Sequence, residues 1–249
     1  MLIEFLSIVA AHSDQARVNG VYPDDLTGDG TITILRRTLD VARRITGNLP
    51  ASLGLHPAVY FYNERGKHSR FLFLGLVALI AEKIRNNDSG FFRKFAKARA
   101  QLEAFVLENK SLFGILLQNM AKGQRTTKMK ELFEYLVVRY NAGEPVTPQS
   151  VIGHLGARGR VYDIVATQNT PQISDDVKTM VFMQHALQSA LKCPLCDGFL
   201  DPAKSVSYDH VERVRDGGTG DATNVRLAHP YCNSIRDLLE DAPQAASAG

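Results

Sequence analysis

Two short pairs of metal-ligand residues near the C-terminus constrain this chain more than any other feature. The pairs are Cys193-Pro-Leu-Cys196 and His229-Pro-Tyr-Cys232, and each two-residue spacer lets both side chains reach one ion. They contain all three cysteines of the 249-residue chain. An odd, clustered set argues against a disulfide framework and for a metal site in a reducing compartment such as the cytoplasm. Three thiolates and one imidazole fill a tetrahedral shell, so the sequence predicts a structural zinc ion that staples a small module.

A second group of polar residues lies between and just after the zinc pairs. Asp209 and His210 are adjacent at the end of a predicted strand, so their side chains should point to opposite faces. Asp209 and Asn233 offer oxygen atoms, which suit Mg²⁺ or Mn²⁺ better than zinc. A neutral imidazole at His210 is a suitable base near pH 7. The sequence therefore predicts a second metal site with a histidine that faces a water molecule; a plain structural histidine is the alternative.

The run DHVERVRDGGTGDATNVRLAHPYCNSIR, which begins at Asp209 and is preceded by CPLC, resembles the HNH (His-Me finger) endonuclease family. The resemblance implies a ββα-metal fold and hydrolysis of phosphodiester bonds to a 5′-phosphate and a 3′-hydroxyl. It implies that His210 activates water as the general base and that Asp209 and Asn233 hold a catalytic Mg²⁺ or Mn²⁺. It also implies that Asn224 braces the loop that carries the base.

Two positions depart from the family pattern. His229 stands where many members have a cysteine, which exchanges one zinc ligand for another. Asn233 stands where the motif ends in histidine, which replaces an imidazole by an amide oxygen. Both departures keep a residue type that can bind a metal ion.

Upstream of Leu191 the apolar periodicity predicts helices, and downstream the segments become short and glycine-rich. Helices are predicted over 2–11, 31–46, 71–85, 91–108, 128–140, 148–155 and 175–191, a short strand or extended segment over 58–62, strands over 205–209 and 224–228, and a last helix over 230–240. The predicted fold class is α+β. A mostly helical domain over 1–190 precedes an HNH finger over 191–240 and a disordered tail over 241–249.

Positive charge is concentrated upstream of the nuclease motif. Residues 61–140 contain 15 Lys and Arg against 7 Asp and Glu, whereas residues 192–240 contain 6 against 8. A basic face can follow a phosphate backbone, although charge alone is equally compatible with a solvated helical surface. The sequence predicts that the helical domain positions DNA, with these candidate residues: Lys94, Lys97, Arg99, Lys122, Arg125, Lys128 and Lys130.

Residues 53–62, LGLHPAVYFY, and the basic helices after them (about 50–140) more loosely resemble a helical region of ParB-like, restriction-associated proteins that end in HNH modules. That resemblance implies a role in restriction or phage defence. The most apolar window, 71–81, is too short to cross a bilayer core of about 30 Å, so no membrane partner is expected.

These observations predict a metal-dependent DNA endonuclease with structural Zn²⁺ and catalytic Mg²⁺ or Mn²⁺. Its partners would be DNA and, beyond that, a second copy or a larger restriction assembly. Two alternatives stay open: a zinc-finger DNA-binding module without catalytic activity, and a regulatory subunit of a restriction assembly.

Overall fold

The computed structural model describes residues 1–11, 25–157, 172–173 and 175–240. The predicted tail over 241–249 lies outside these residues. The helices of the described part are α1 Leu2–Ala11, α2 Asp29–Ile45, α3 Pro57–Tyr60, α4 Arg70–Arg85, α5 Ser89–Glu108, α6 Lys110–Gln118, α7 Arg125–Asn141, α8 Pro148–His154, α9 Asp175–Gln188, α10 Pro230–Ser234 and α11 Arg236–Glu240. Two strands, β1 Ser207–His210 and β2 Val225–Ala228, form one antiparallel sheet. The fold is therefore α+β, as predicted.

Helix α4 lies at the centre of the helical part. Its residues from Leu74 to Ala81 are all buried, and it packs chiefly against α7. Gly75 permits this approach, because a Cβ atom there would lie 2.5 Å from the Cβ of Met129. No helix in the described ranges is both long enough and apolar enough to cross a membrane. The apolar window is thus a core helix.

The predicted short strand or extended segment over 58–62 is wrong for most of its length, because residues up to Tyr60 are helical. Pro57 opens the short helix α3 directly after the extended residue His56, and proline favours the first helical position because its φ is already helical. Only Tyr62 makes a strand-like bridge, with His68. Aromatic, β-branched composition suggested a strand, but the proline decided the local conformation.

The predicted last helix over 230–240 is divided. Ile235, with φ −115° and ψ 20°, separates α10 from α11. The carbonyl of Tyr231 accepts the Ile235 N–H at 3.1 Å and so closes the first turn. The break redirects the chain, which brings α11 against the loop after β1.

The predicted basic surface is smaller than the charge count suggests. Arg99 is only 1% exposed, so its assignment to a DNA-binding surface is wrong. Lys128 and Lys130 form ion pairs with Glu131 and Glu82. Among the candidates, Lys94, Lys97 and Lys122 are exposed.

The C-terminal finger packs directly on the segment that follows α2. Tyr231 donates its N–H to the carbonyl of Ser52 at 3.0 Å, and the Ser205 hydroxyl donates to the carbonyl of Gly47 at 2.6 Å. Gly54 has a φ of +63°, and a Cβ atom there would lie 2.9 Å from Cδ2 of His229. Buried finger residues, among them Cys193, Leu200, Ala228, Tyr231 and Cys232, belong to the same hydrophobic core as the helices. The helical part therefore supports the finger along its buried side.

Candidate metal centre and active site

The β-hairpin formed by β1 and β2 positions the two histidines of the candidate sites. In the register of β1 and β2, Ser207 lies opposite Ala228 and His210 lies opposite Val225. The connecting loop approaches its own backbone so closely that a Cβ atom at Gly218 would lie 1.9 Å from the Glu212 carbonyl oxygen. Glycine is required there, because any side chain would open the loop. The hairpin thus delivers His210 at the end of β1 and His229 just before α10.

The four predicted zinc ligands form one cluster. The ligand atoms of Cys193, Cys196, His229 and Cys232 all lie within 4.8 Å of one another. Nδ1 of His229 is 3.4 Å from Sγ of Cys196 and 3.8 Å from Sγ of Cys232. Three of the four residues are buried, and Cys196 is partly exposed. The number, type and spacing of these atoms fit a tetrahedral zinc ion without an open position.

The tautomer of His229 suits metal binding. Its Nε2 atom lies 3.0 Å from the carbonyl oxygen of Phe199, which can only accept a hydrogen bond. The ring proton therefore belongs on Nε2, and the lone pair of Nδ1 faces the cysteines. This arrangement is common for metal-ligating histidines, since the outer hydrogen bond fixes both the ring and the tautomer.

The three thiols are crowded enough to perturb one another. Hydrogen bonds from the thiols of Cys196 and Cys232 lower the pKa of Cys193 strongly. The pKa of Cys232 is raised to about 12, first by its hydrogen bond to Cys193 and then by burial. Three sulfur atoms this close together cannot all ionise without a nearby cation. The cluster is therefore suited to a divalent metal whose binding releases thiol protons.

A cleft of about 270 Å³ lies at the end of the hairpin. Its lining includes Asp209, His210 and Asn233, three of the four predicted catalytic residues. Asp209 is 5% exposed, whereas His210 is half-buried, as expected for neighbours on opposite faces of a strand. The cleft therefore gathers residues that are 24 positions apart in the chain.

Asn233 lines this cleft, and one end of its amide is held by β1. Its Nδ2 atom donates to the Ser207 hydroxyl at 3.3 Å and to the Tyr208 carbonyl at 3.4 Å. These bonds fix which end of the amide faces β1. Its Oδ1 atom, which accepts no hydrogen bond from the described residues, is the end that can bind a cation.

The fourth predicted residue, Asn224, lies behind the cleft. Its Nδ2 atom donates to the carbonyls of Glu212 at 3.0 Å and Thr219 at 2.7 Å, while its Oδ1 atom accepts the N–H of Glu212 at 2.7 Å. These three bonds close the loop that begins directly after His210.

The comparisons agree with this geometry. The family model of the HNH endonuclease matches residues 193–237. The chain carries an HNH domain. Comparisons with curated proteins and with solved structures each found no match to the chain. The looser resemblance of residues 50–140 to ParB-like proteins has no support from any of these comparisons.

The arginines around Asp209 were not among the residues predicted from the sequence. Asp209 accepts a hydrogen bond from Nε of Arg226 at 2.8 Å and one from Nη1 of Arg236 at 3.1 Å. Arg226 is the cross-strand partner of Asp209 in the hairpin register. The signal was available, because pairing the two predicted strands would have placed these opposite charges side by side.

Arg236 also holds the backbone that carries the histidine. Its Nη1 atom donates to the carbonyl of His210, and its Nη2 atom donates to the carbonyl of Val211 at 2.9 Å. Its Nε atom donates to Glu240 at 2.7 Å, which fixes the guanidinium from the far side. Helix α11 therefore holds one side of the loop between β1 and β2, and Asn224 holds the other side.

The oxygen atoms of Asp209 and Asn233 can bind a divalent cation, but two arginines compete with that cation for Asp209. A carboxylate has about four acceptor positions, and the two arginines use one on each oxygen of Asp209. The remaining positions, together with Oδ1 of Asn233, can bind Mg²⁺ or Mn²⁺. The positive charge of the arginines opposes cation binding, so the affinity of this site should be modest.

Proposed function

We propose that the HNH domain hydrolyses phosphodiester bonds of DNA in a reaction that depends on a divalent metal ion. The observation that carries this proposal is the single cleft that gathers His210, Asp209 and Asn233. A base and two oxygen ligands at one end of a strand are the groups that such a hydrolysis needs.

His210 is the proposed general base. Its half-buried imidazole lines the cleft, where it can accept a proton from an attacking water molecule. Arg213 and Arg236 line the same cleft, where their positive charge can attract a phosphate group. Asn224 and Arg236 hold the backbone on either side of the loop, so the base needs little rearrangement before it acts.

Asp209 and Asn233 are the proposed holders of Mg²⁺ or Mn²⁺. When bound, the ion supplies Lewis-acid stabilisation of the negative charge on the phosphate. The Cys193, Cys196, His229 and Cys232 cluster is the proposed zinc staple, and it takes no part in the reaction.

Helix α5 is the best-supported candidate for positioning DNA. Arg93, Lys94 and Lys97 are exposed on it. The ring of Phe92 contacts the ring of Tyr231 with centroids 6.4 Å apart, and Tyr231 is two residues from Asn233. The basic stretch of α5 therefore adjoins the element that contributes Asn233 to the cleft.

A second candidate function is a DNA-binding module without catalytic activity. The two arginines on Asp209 favour it, because they already neutralise the carboxylate that should hold the metal. A role in restriction or phage defence, and assembly into a homodimer or a larger complex, stay predictions.

Nicking of supercoiled plasmid separates the two candidates. We expect the wild-type protein to nick plasmid only with Mg²⁺ or Mn²⁺, and His210→Ala to lose this activity while DNA affinity and thermal unfolding stay unchanged. His185→Ala is the matched control, because His185 is exposed on α9, outside the cleft. A wild-type protein that binds DNA but cleaves it with neither ion would favour the binding module.

A further inference from the structure

Helix α5 brings a buried arginine next to the zinc cluster. Arg99 is 1% exposed, and its Nη2 atom donates to the carbonyl of Leu53 at 2.6 Å. Its aliphatic stem passes so close to the knuckle that a Cβ atom at Gly198 would lie 2.2 Å from its Cδ. Gly198 lies between Cys196 and Phe199, so the arginine packs against the turn that carries a metal ligand.

This guanidinium lacks a full set of partners. Its Nε and Nη1 atoms are buried and have no hydrogen-bond partner in the described part of the chain. The closest carboxylate atom, Oε1 of Glu103, is 3.8 Å from Nε. That carboxylate already accepts the hydroxyl of Tyr60 at 2.8 Å and the N–H of Phe199 at 2.7 Å. A buried cation with free donors calls for additional negative charge nearby.

A zinc-loaded cluster would supply that charge. One Zn²⁺ with three thiolates and a neutral histidine carries a net charge of −1. The guanidinium of Arg99 lies within electrostatic range of Cys196 and Cys232, two of the four ligands. The cluster and the guanidinium therefore stabilise each other's charged states.

We propose that Arg99 is the buried counter-charge of the zinc–thiolate cluster, so that metal binding by the finger depends on a residue of the helical part. Glu103 completes the connection, because it binds the N–H of Phe199, whose carbonyl in turn orients His229. Arg99 is a positioning residue in this proposal, which rests on the proposed zinc staple and does not require nuclease activity.

Zinc affinity of the full-length protein, measured by competition with a chromogenic chelator, tests this proposal. Arg99→Met should weaken zinc binding by about 10- to 100-fold, the range seen when outer-shell partners of metal sites are removed. Arg99→Lys should weaken zinc binding much less than Arg99→Met does, since lysine keeps the positive charge. Glu103→Gln keeps an oxygen that can accept the Phe199 N–H but removes the anion that competes for Arg99, so it should act in the opposite direction and tighten zinc binding. A purely structural role predicts weakening by both Arg99→Met and Glu103→Gln.

A change of cluster charge gives the second measurement. Cys196→His converts the ligand set to two cysteines and two histidines, whose zinc complex is neutral. In that background Arg99→Met should change zinc affinity much less than in the wild type. Cobalt spectra check that each variant still binds metal tetrahedrally.

The outcomes are distinct. Two results would overturn the role of Arg99 and leave the proposed zinc staple unaffected. One is an equal loss of zinc affinity from Arg99→Met in both backgrounds. The other is unchanged zinc affinity of Arg99→Met relative to a wild-type protein that binds zinc. Absence of zinc binding by the wild-type protein would overturn the staple and this inference together, without bearing on cleavage by His210.

Discussion

At the scale of single residues, Asp209 has two competing partners. It is the only carboxylate of the cleft that is fully buried among the described residues, and it lies between Arg226 and Arg236. As a metal ligand it needs free lone pairs, whereas as an ion-pair partner it holds the hairpin against α11. The two roles can be separated because Glu240 binds the same two arginines from outside the cleft.

We therefore expect Asp209→Asn and Glu240→Gln to differ in their effect on nicking, although both should destabilise the fold. Asp209→Asn should lower the free energy of unfolding by about 1–3 kcal/mol, because it weakens charged hydrogen bonds of a buried carboxylate. Glu240→Gln should lower it by at most about 1 kcal/mol, since Glu240 is 38% exposed and water screens its ion pairs. Only Asp209→Asn should abolish metal-dependent nicking. Urea denaturation and plasmid nicking of both variants measure the two effects, and equal nicking by both would remove Asp209 from the metal site.

Lys110 is a buried lysine whose environment should make the stability of the protein depend on pH. It is 9% exposed, and its ammonium group donates to the carbonyls of Ala58, Val59 and Tyr62. These carbonyls lie at the end of α3, where the helix itself leaves them without donors. Burial lowers the pKa of Lys110 to about 8 from its ordinary value of 10.5.

The sign of the resulting pH dependence follows from proton counts. Between about pH 8 and pH 10.5 the unfolded chain binds more protons at this position than the folded chain. The contribution of Lys110 to the free energy of unfolding should therefore rise across this window, by roughly 3 kcal/mol in total. Denaturation at successive pH values should show this rise in the wild type and in the exposed control Lys122→Met. Its persistence in Lys110→Met would assign the rise to another group.

At the scale of elements, the loop between β1 and β2 depends on one side chain. Asn224 makes three hydrogen bonds across it, whereas the Thr219 hydroxyl bonds only to Asp221 within the loop. The backbone after His210 is thus held by a residue that does not touch the cleft.

We expect Asn224→Ala to lower the nicking rate constant by up to about 100-fold, because a displacement of about 1 Å of a catalytic group has such an effect. DNA affinity should change little, since Asn224 does not line the cleft. Thr219→Val is the control and should nick at the wild-type rate. Hydrogen exchange should show faster opening of residues 211–223 in Asn224→Ala alone; slow exchange together with slow nicking would point instead to a direct catalytic role.

At the scale of the whole molecule, charge is distributed unevenly between the finger and the helices. Acidic and basic residues of the finger pair with each other: Arg213, Arg226 and Arg236 all bind Glu240. The helical part keeps exposed positive charge on α5, beside the finger. This division suits a molecule in which one part attracts DNA and another cuts it.

Neutralising Arg93, Lys94 and Lys97 to glutamine should therefore weaken DNA binding and flatten its salt dependence. Each lost phosphate contact should reduce the slope of log K against log salt by about 0.9 on B-DNA. Nicking at saturating DNA should recover, because the cleft is unchanged. Lys128→Gln with Lys130→Gln is the control, since both lysines already pair with glutamates. Equal effects per charge removed would show that only net charge matters.

The sequence by itself determined the parts of this protein that depend on neighbours in the chain. Cysteine and histidine ligands two residues apart predict a metal cluster, because the short spacer alone brings each pair together. The order of strand, glycine loop, strand and helix predicts the HNH hairpin, because these elements follow one another directly in the chain. The apolar run from residue 71 predicts a buried helix, since no other environment accommodates it in water.

Only the tertiary structure decided which charges are buried and what they contact. Arg99 reaches Leu53, 46 positions away, and Glu103 reaches Phe199, 96 positions away. In the sequence Arg99 is indistinguishable from its exposed neighbour Lys97, because burial is set by what packs on a helix and not by the helix itself. The same cause hid Arg236, since this residue reaches Asp209 only when α11 packs against the hairpin.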